Sequence, residues 1–341
     1  MKKVILSTMI ISSSLLSFGQ SAIKYPATKK IDKVDVYFGN SIPDPFRWLE
    51  DDRSAETAEW VKEQNKVTFD YLAAIPFRNT IKARMEKLWN YEKVSAPFKE
   101  GDYTYYYKNN GLQNQSVMYR KDAKGTEELF LDPNTFSKDA TTSLDGVSFS
   151  KDGSLVAYSI SEAGSDWRKV IFIDAKTKQS IGEPLVDVKF SGLSWKGNEG
   201  IFYSSYEKPK GSELSAKTDQ HRLFFHKLGT KQAEDAILFG DQEKRRYVGG
   251  YVSDDNRYLF ISAANSTSGN ELYLKDLSVP NSPIVAIHKG FEYDVDVLDN
   301  IGTTLFIVTN LKAPNKRIVT VDVANPGVEN WKDLIPETEQ V

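Results

Sequence analysis

The sequence has no cysteine, only three histidines and only four methionines. Disulfide frameworks, thiolate metal sites and cysteine nucleophiles are therefore excluded. Charge of one sign is also missing: 44 basic and 47 acidic side chains leave a net charge of −3, which gives no basis for binding nucleic acid. Past the N-terminus no run of about 20 apolar residues exists, so no membrane-spanning helix is expected. What the 341 residues do contain is aromatic side chains, 17 Tyr and 18 Phe among them, which favour strands because flat rings pack well on a pleated surface.

The N-terminus reads as an address. Lys2 and Lys3 precede an apolar, serine-containing stretch over 4–16, and Ser17, Gly19, Ser21 and Ala22 supply small residues for cleavage. Residues 1–20 are expected to be a signal peptide, which makes the mature protein periplasmic or secreted. Without cysteine, its stability must come from packing alone.

After a proline-containing stretch at 21–53, Ser54 is placed to cap a helix with Glu56 in the first turn. Trp60, Val67 and Tyr71 then share one helical face, and Pro76 stops the helix. Ile81, Met85, Leu88 and Trp89 predict a second helix that ends before Pro97.

From about residue 98 the apolar period changes to two, and one phrase recurs: a polar turn followed by an alternating strand. The turns are Gly101-Asp102, Asp152-Gly153, Gly197-Asn198, Asp254-Asp255-Asn256 and Gly302. They are separated by about 44 to 58 residues, the spacing of four-stranded propeller blades. An all-β sandwich would also show short strands and frequent turns. Five copies of one phrase favour a β-propeller of about five blades behind an N-terminal helical segment.

Catalytic signals are weak. The serine elbow Gly-x-Ser-x-Gly has no match; in Gly192-Leu193-Ser194-Trp195-Lys196 a lysine occupies the second glycine position. His221, His226 and His288 are not spaced as metal ligands and read as hydrogen-bonded or surface residues, so no metal or cofactor is expected. Glu50-Asp51-Asp52 and Asp254-Asp255 stand where carboxylates cap turns and helix starts. Lys244-Arg245-Arg246, flanked by Asp241 and Glu243, reads as a solvated loop.

A family resemblance runs along nearly the whole chain. Val36-Tyr37-Phe38-Gly39-Asn40 and Asp44-Pro45-Phe46-Arg47-Trp48-Leu49-Glu50-Asp51, then Gly164-Ser165-Asp166-Trp167, Val252-Ser253-Asp254-Asp255, Ala313-Pro314-Asn315 and Leu334-Ile335-Pro336-Glu337, resemble the N-terminal portion of the prolyl oligopeptidase family of serine peptidases. The resemblance implies a seven-bladed propeller joined to an α/β-hydrolase domain, with 21–75 as that domain's N-terminal arm and 76–341 as incomplete propeller. It implies hydrolysis of short peptides after proline, with the propeller limiting access, in a monomer whose partners are such peptides and the missing hydrolase domain. The family's Ser, Asp and His lie beyond the propeller, so no catalytic residue is expected in this chain. Phe172, five residues after Trp167, and Val248, before Gly249-Gly250, match positions that line a peptide subsite in the family. Two other readings stay open: a stand-alone binding propeller, and a five-bladed glycan-active enzyme with carboxylates at its channel.

Overall fold

The computed structural model describes residues 23–209 and 217–339. The proposed signal peptide lies outside them. The chain divides into two compact units after Ile81. In the first, Val34–Tyr37 and Asn40–Pro43 form a hairpin, Arg47–Glu50 a 3-10 turn, and Ala55–Ala73 a helix, α1. Ser54 caps α1 as expected, its Oγ accepting the Thr57 N–H at 3.1 Å. Trp60 donates from its indole to Thr28 at 3.0 Å, whereas Tyr71 is exposed. A second helix, α2 (Arg78–Trp89), spans the unit boundary.

The second unit holds five antiparallel sheets, each built from consecutive stretches of chain. Blade 2 comprises Thr142–Phe149, Leu155–Glu162, Trp167–Asp174 and Leu185–Lys189. Blade 3 comprises Ser194–Lys196, Gly200–Ser205, Arg222–Lys227 and Ala236–Phe239. Blade 4 runs from Tyr247–Val252 through Tyr258–Ala264 and Glu271–Asp276 to Ile284–His288. Blade 5 runs from Val295–Ile301 through Thr304–Thr309 and Arg317–Asp322 to Lys332–Ile335. In blade 1 the innermost strand is broken into Lys93–Val94 and Phe98–Glu100, both paired with Tyr103–Asn109, before Val117–Lys121 and Glu127–Leu131 complete the sheet. The break falls at Pro97, which has no N–H to give the ladder.

Strand alternation stacks these sheets into a propeller. Side chains one residue apart point to opposite faces, so Val156 packs with Tyr105, Met118 and Phe130 of blade 1, while Ala157 packs with Trp195 and Ile201 of blade 3. Blade 4 repeats the pattern: Leu259 and Ile261 join Phe202 and Leu223 of blade 3, whereas Tyr258 and Phe260 join Leu305 and Ile307 of blade 5. Each fully buried large apolar side chain in these interfaces contributes about 1.5–3 kcal/mol.

Polar ties reinforce the stack. The repeated turns expected from the sequence are the first hairpin of every blade, and each carries a left-handed residue: Gly101, Gly153, Gly197, Asn256 and Gly302, with φ between 51° and 71°. The turn carboxylates reach the next blade. Asp152 accepts from Ser150 and Ser154 with one oxygen and from Asn198 of blade 3 with the other, at 2.7 Å. Donation from Ser154 first, then from Asn198, holds this carboxyl below the usual range. Asp255 is built alike, with Ser253 and Arg257 N–H on one oxygen and Asn300 of blade 5 on the other at 2.8 Å. Arg120, 1 % exposed, pins blade 1 to blade 2 by donating to the carbonyls of Ala175 and Lys176 while pairing with Glu128.

His221 links three blades. Its Nε2–H donates to the Lys189 carbonyl of blade 2 at 2.9 Å, and its Nδ1 accepts the Val248 N–H of blade 4 at 2.8 Å. These two bonds fix a neutral tautomer, and burial pushes the pKa down from 6.5 to about 4. The folded state therefore binds fewer protons than the unfolded chain between those values, and stability is lost as pH falls through that window.

Two outcomes are expected in equilibrium unfolding. His221 contributes ~3 kcal/mol of stability that disappears between pH 6.5 and 4, and His221→Gln flattens that part of the pH profile. At Gly153 an added Cβ would meet the Gly101 backbone N at 2.4 Å, whereas at Gly197 nothing lies within 4 Å. Gly153→Ala should therefore cost well over the ~1 kcal/mol of left-handed strain that Gly197→Ala costs.

Candidate peptide-binding end of the propeller

Because the strands alternate in direction, the carboxylate turns occupy one end of the propeller. The links from second to third strand, and from blade to blade, occupy the other. At this second end the side chains are aromatic and cationic. Phe190 follows the last strand of blade 2, is 51 % exposed, and has φ 52°, a conformation rare for an aromatic residue. Its ring lies 6.3 Å from Tyr206 and 6.2 Å from Tyr247, edge-on to the first and tilted to the second. Tyr206 stacks on His221 at 4.2 Å and donates its hydroxyl to the Arg246 carbonyl. Burial pushes the Tyr206 hydroxyl up to about 12, so it remains a donor at neutral pH.

Beside Phe190 opens a hollow of about 270 Å³, lined also by Asp145, Asp166, Arg168 and Leu193. Arg168 pairs with Asp145 at 3.2 Å. On the other side of the segment, Lys189 places its ammonium over the rings of Trp167 and Phe190. An aromatic platform bordered by charges of both signs can hold an extended peptide by ring contact and fix its charged groups.

The residues expected to line a subsite are interior. Phe172 is 2 % exposed, stacked on His226 at 5.5 Å and edge-on to Trp195 in the core between blades 2 and 3. It sits well inside its strand, on the face turned to blade 3, so a ligand would have to part the blades to reach it. Val248 is also 2 % exposed, in the core between blades 3 and 4, but it directly follows Tyr247 at the aromatic end. Lys189, Phe190, Tyr206 and Tyr247 carry no local sequence signal. Each looks like the end of an ordinary alternating strand, and the left-handed turn at Phe190 is not legible in residue type.

The other sequence candidates are structural. Ser194 Oγ accepts the Val252 N–H at 2.8 Å, tying blade 3 to blade 4. His226 pairs with Asp235 at 2.8 Å inside blade 3, and Tyr203 donates to the other Asp235 oxygen at 2.9 Å. Arg245, expected in a solvated loop, instead pairs with the buried Glu271 at 2.8 Å, because the loop folds back over blade 4. Among the described residues no group of three His, Asp or Glu side chains gathers to hold a metal.

Exposure and backbone strain give opposite expectations for the two phenylalanines. Phe190→Gly relieves a left-handed conformation and removes little packing, so the unfolding midpoint should hold or rise. Phe172→Ala opens a cavity between blades and should cost ~3–5 kcal/mol in the same denaturant titration.

The profile of the family described as "Prolyl oligopeptidase, N-terminal beta-propeller domain" matches residues 26–341. Among curated proteins, the prolyl endopeptidase of Elizabethkingia miricola is 58% identical over 322 residues, covering 94% of this chain and 46% of the relative. That of Elizabethkingia meningoseptica is 57% identical over the same shares. Among solved structures, prolyl oligopeptidase B from Galerina marginata, bound to a 35mer hydrolysis and macrocyclization substrate, superposes with a TM-score of 0.78 at 27% identity, over 94% of this chain and 49% of that one. The chain thus spans about half the length of the curated relatives it matches. With five sheets in sequence order, four of them four-stranded and the first with its inner strand broken in two, and a family match over nearly all of its residues, the chain belongs to the prolyl oligopeptidase N-terminal β-propeller family.

Proposed function

We propose that this chain is the propeller portion of a proline-specific serine endopeptidase that hydrolyses short peptides after proline, the propeller limiting which substrates gain access. The observation that carries this reading is 58% identity, over 94% of the chain, to a protein named prolyl endopeptidase. In the complete enzyme the reaction would be acyl transfer through a Ser-His-Asp triad and an oxyanion hole in an α/β-hydrolase domain that is the propeller's partner. Within this chain the contribution is binding. The exposed ring of Phe190, with the half-buried Tyr247 beside it and the buried Tyr206 beneath, receives the peptide, and Val248 follows Tyr247 in the same strand. Phe172 acts from a layer deeper, by holding the blade 2–3 interface in place. The enzyme is read as a monomer, exported by residues 1–20 on the strength of Lys2, Lys3 and the apolar stretch that follows.

Incubated with a short chromogenic peptide carrying proline before the leaving group, residues 21–341 alone should give no turnover. Turnover blocked by a serine reagent would place a nucleophile within this chain and sink the reading. Titration with an uncleaved proline peptide should shift the Tyr247 and Trp167 resonances in wild type, and the shifts should weaken in Phe190→Gly. N-terminal sequencing of the protein from periplasm or medium should begin near residue 21; a retained Lys2-Lys3 would remove the export reading.

A further inference from the structure

Lys189 is the last residue of blade 2, and its side chain is only 5 % exposed. Its ammonium is surrounded by ring faces, 4.8 Å from the Trp167 centroid and 5.1 Å from that of Phe190. Among the described residues no carboxylate or carbonyl bonds it. Its cationic neighbours are matched: Lys208 pairs with Asp187 at 2.8 Å and Arg168 with Asp145 at 3.2 Å. Removing an ammonium from water is expensive unless a counter-charge replaces the lost hydration, and two aromatic faces return only about 0.5–2 kcal/mol each.

Left-handed backbone, found at several other turns of the chain, also flanks Lys189. Asp187 and Phe190, two residues before Lys189 and one after it, both have left-handed φ, 55° and 52°. Neither is glycine or asparagine, and strain of this kind, on the order of 1 kcal/mol per residue, persists where surroundings enforce it and gathers at functional sites. The strained segment directs the Phe190 ring outward while the Lys189 main chain stays bonded to His221. The backbone from which the ammonium extends is therefore fixed by the packing of three blades, and its stem is held by burial against the two rings.

We propose that Lys189 is a carboxylate-recognition residue: a peptide lying on Phe190 and Tyr247 is bound more tightly when it carries an acidic group that reaches this ammonium. The inference rests on the reading of this end as the peptide-binding face. The carboxylate completes what the chain leaves open, a desolvated cation fixed in place and lacking only an oxygen partner. Because the site is partly shielded by Trp167, the attraction is screened less by salt than that of an exposed lysine.

The test uses capped, uncleaved proline pentapeptides that differ only in Glu, Gln or Lys at one position, and a Gln peptide with a free carboxyl terminus. Binding to the purified chain is measured by calorimetry, and the Trp167 indole resonance reports occupancy. The Glu peptide should bind about tenfold more tightly than the Gln peptide, as a charge-assisted hydrogen bond predicts. Lys189→Met should abolish that difference while leaving Gln-peptide binding in place. If the free-carboxyl Gln peptide gains the advantage and the Glu peptide does not, the recognised carboxylate is a chain terminus. Equal binding of Glu and Gln peptides to wild type overturns the proposal but leaves the peptide-binding reading standing. Preference for the Lys peptide also overturns it, transferring charge recognition to Asp166. If no peptide binds, both readings fall. Should Lys189→Met fail to fold, the wild-type Glu-to-Gln ratio and its decline between low and high salt decide the matter alone.

Discussion

Everything in the second unit depends on one constraint: a sheet with apolar side chains on both faces must find a neighbour for each. Blades 2, 3 and 4 satisfy it by stacking, with Val156 and Ala157, or Tyr258 and Leu259, serving opposite interfaces from adjacent positions. The two outer sheets differ. On blade 1, Tyr106 and Tyr119 stack at 6.0 Å, Tyr106 donates to Glu127, and Lys121 lies over the Tyr106 ring, so the face away from blade 2 is polar and internally bonded. On blade 5, Phe306, Val308 and Ile318 share the face opposite Leu305, Ile307 and Val319, and remain half-buried.

The two ends of the stack perform different tasks. At one end the aspartate turns, Asp152 with Asn198 and Asp255 with Asn300, join neighbouring blades through carboxylates that are fully engaged. Asp152 holds four donor contacts and Asp255 three, so both carboxylates serve the joints between blades. The opposite end has its hydrogen bonds met one layer down, by His221 and Tyr206, and leaves the Phe190 ring half exposed.

How much was legible in the sequence follows from the range of each interaction. The Asp-Gly phrase is local, and so are the blade count, the strand after each turn and the Ser54 cap. The ties are not local. Asp152 and Asn198 are 46 residues apart, and Ser194 and Val252 are 58 apart, so nothing around either partner announces the bond. Arg245 looked solvated because its near neighbours Asp241 and Glu243 are acidic, while its buried partner Glu271 comes 26 residues later. The candidate site was least legible, since it depends on a left-handed backbone at Phe190 that no residue type demanded. The resemblance points to Phe172, which the structure places in the core between blades 2 and 3.

The order in which the polypeptide is made gives the His221 bridge a particular timing. Every sheet pairs strands that are consecutive in the chain, so a blade can close while the next is still being synthesised, and such short-range pairing forms quickly. The imidazole belongs to blade 3, but one of its two bonds goes to the Val248 N–H, which exists only once blade 4 has begun. Until then a buried ring nitrogen has no donor facing it. Blade 3 is therefore fully satisfied only after the fact, and the nascent propeller matures one blade behind its own growing end.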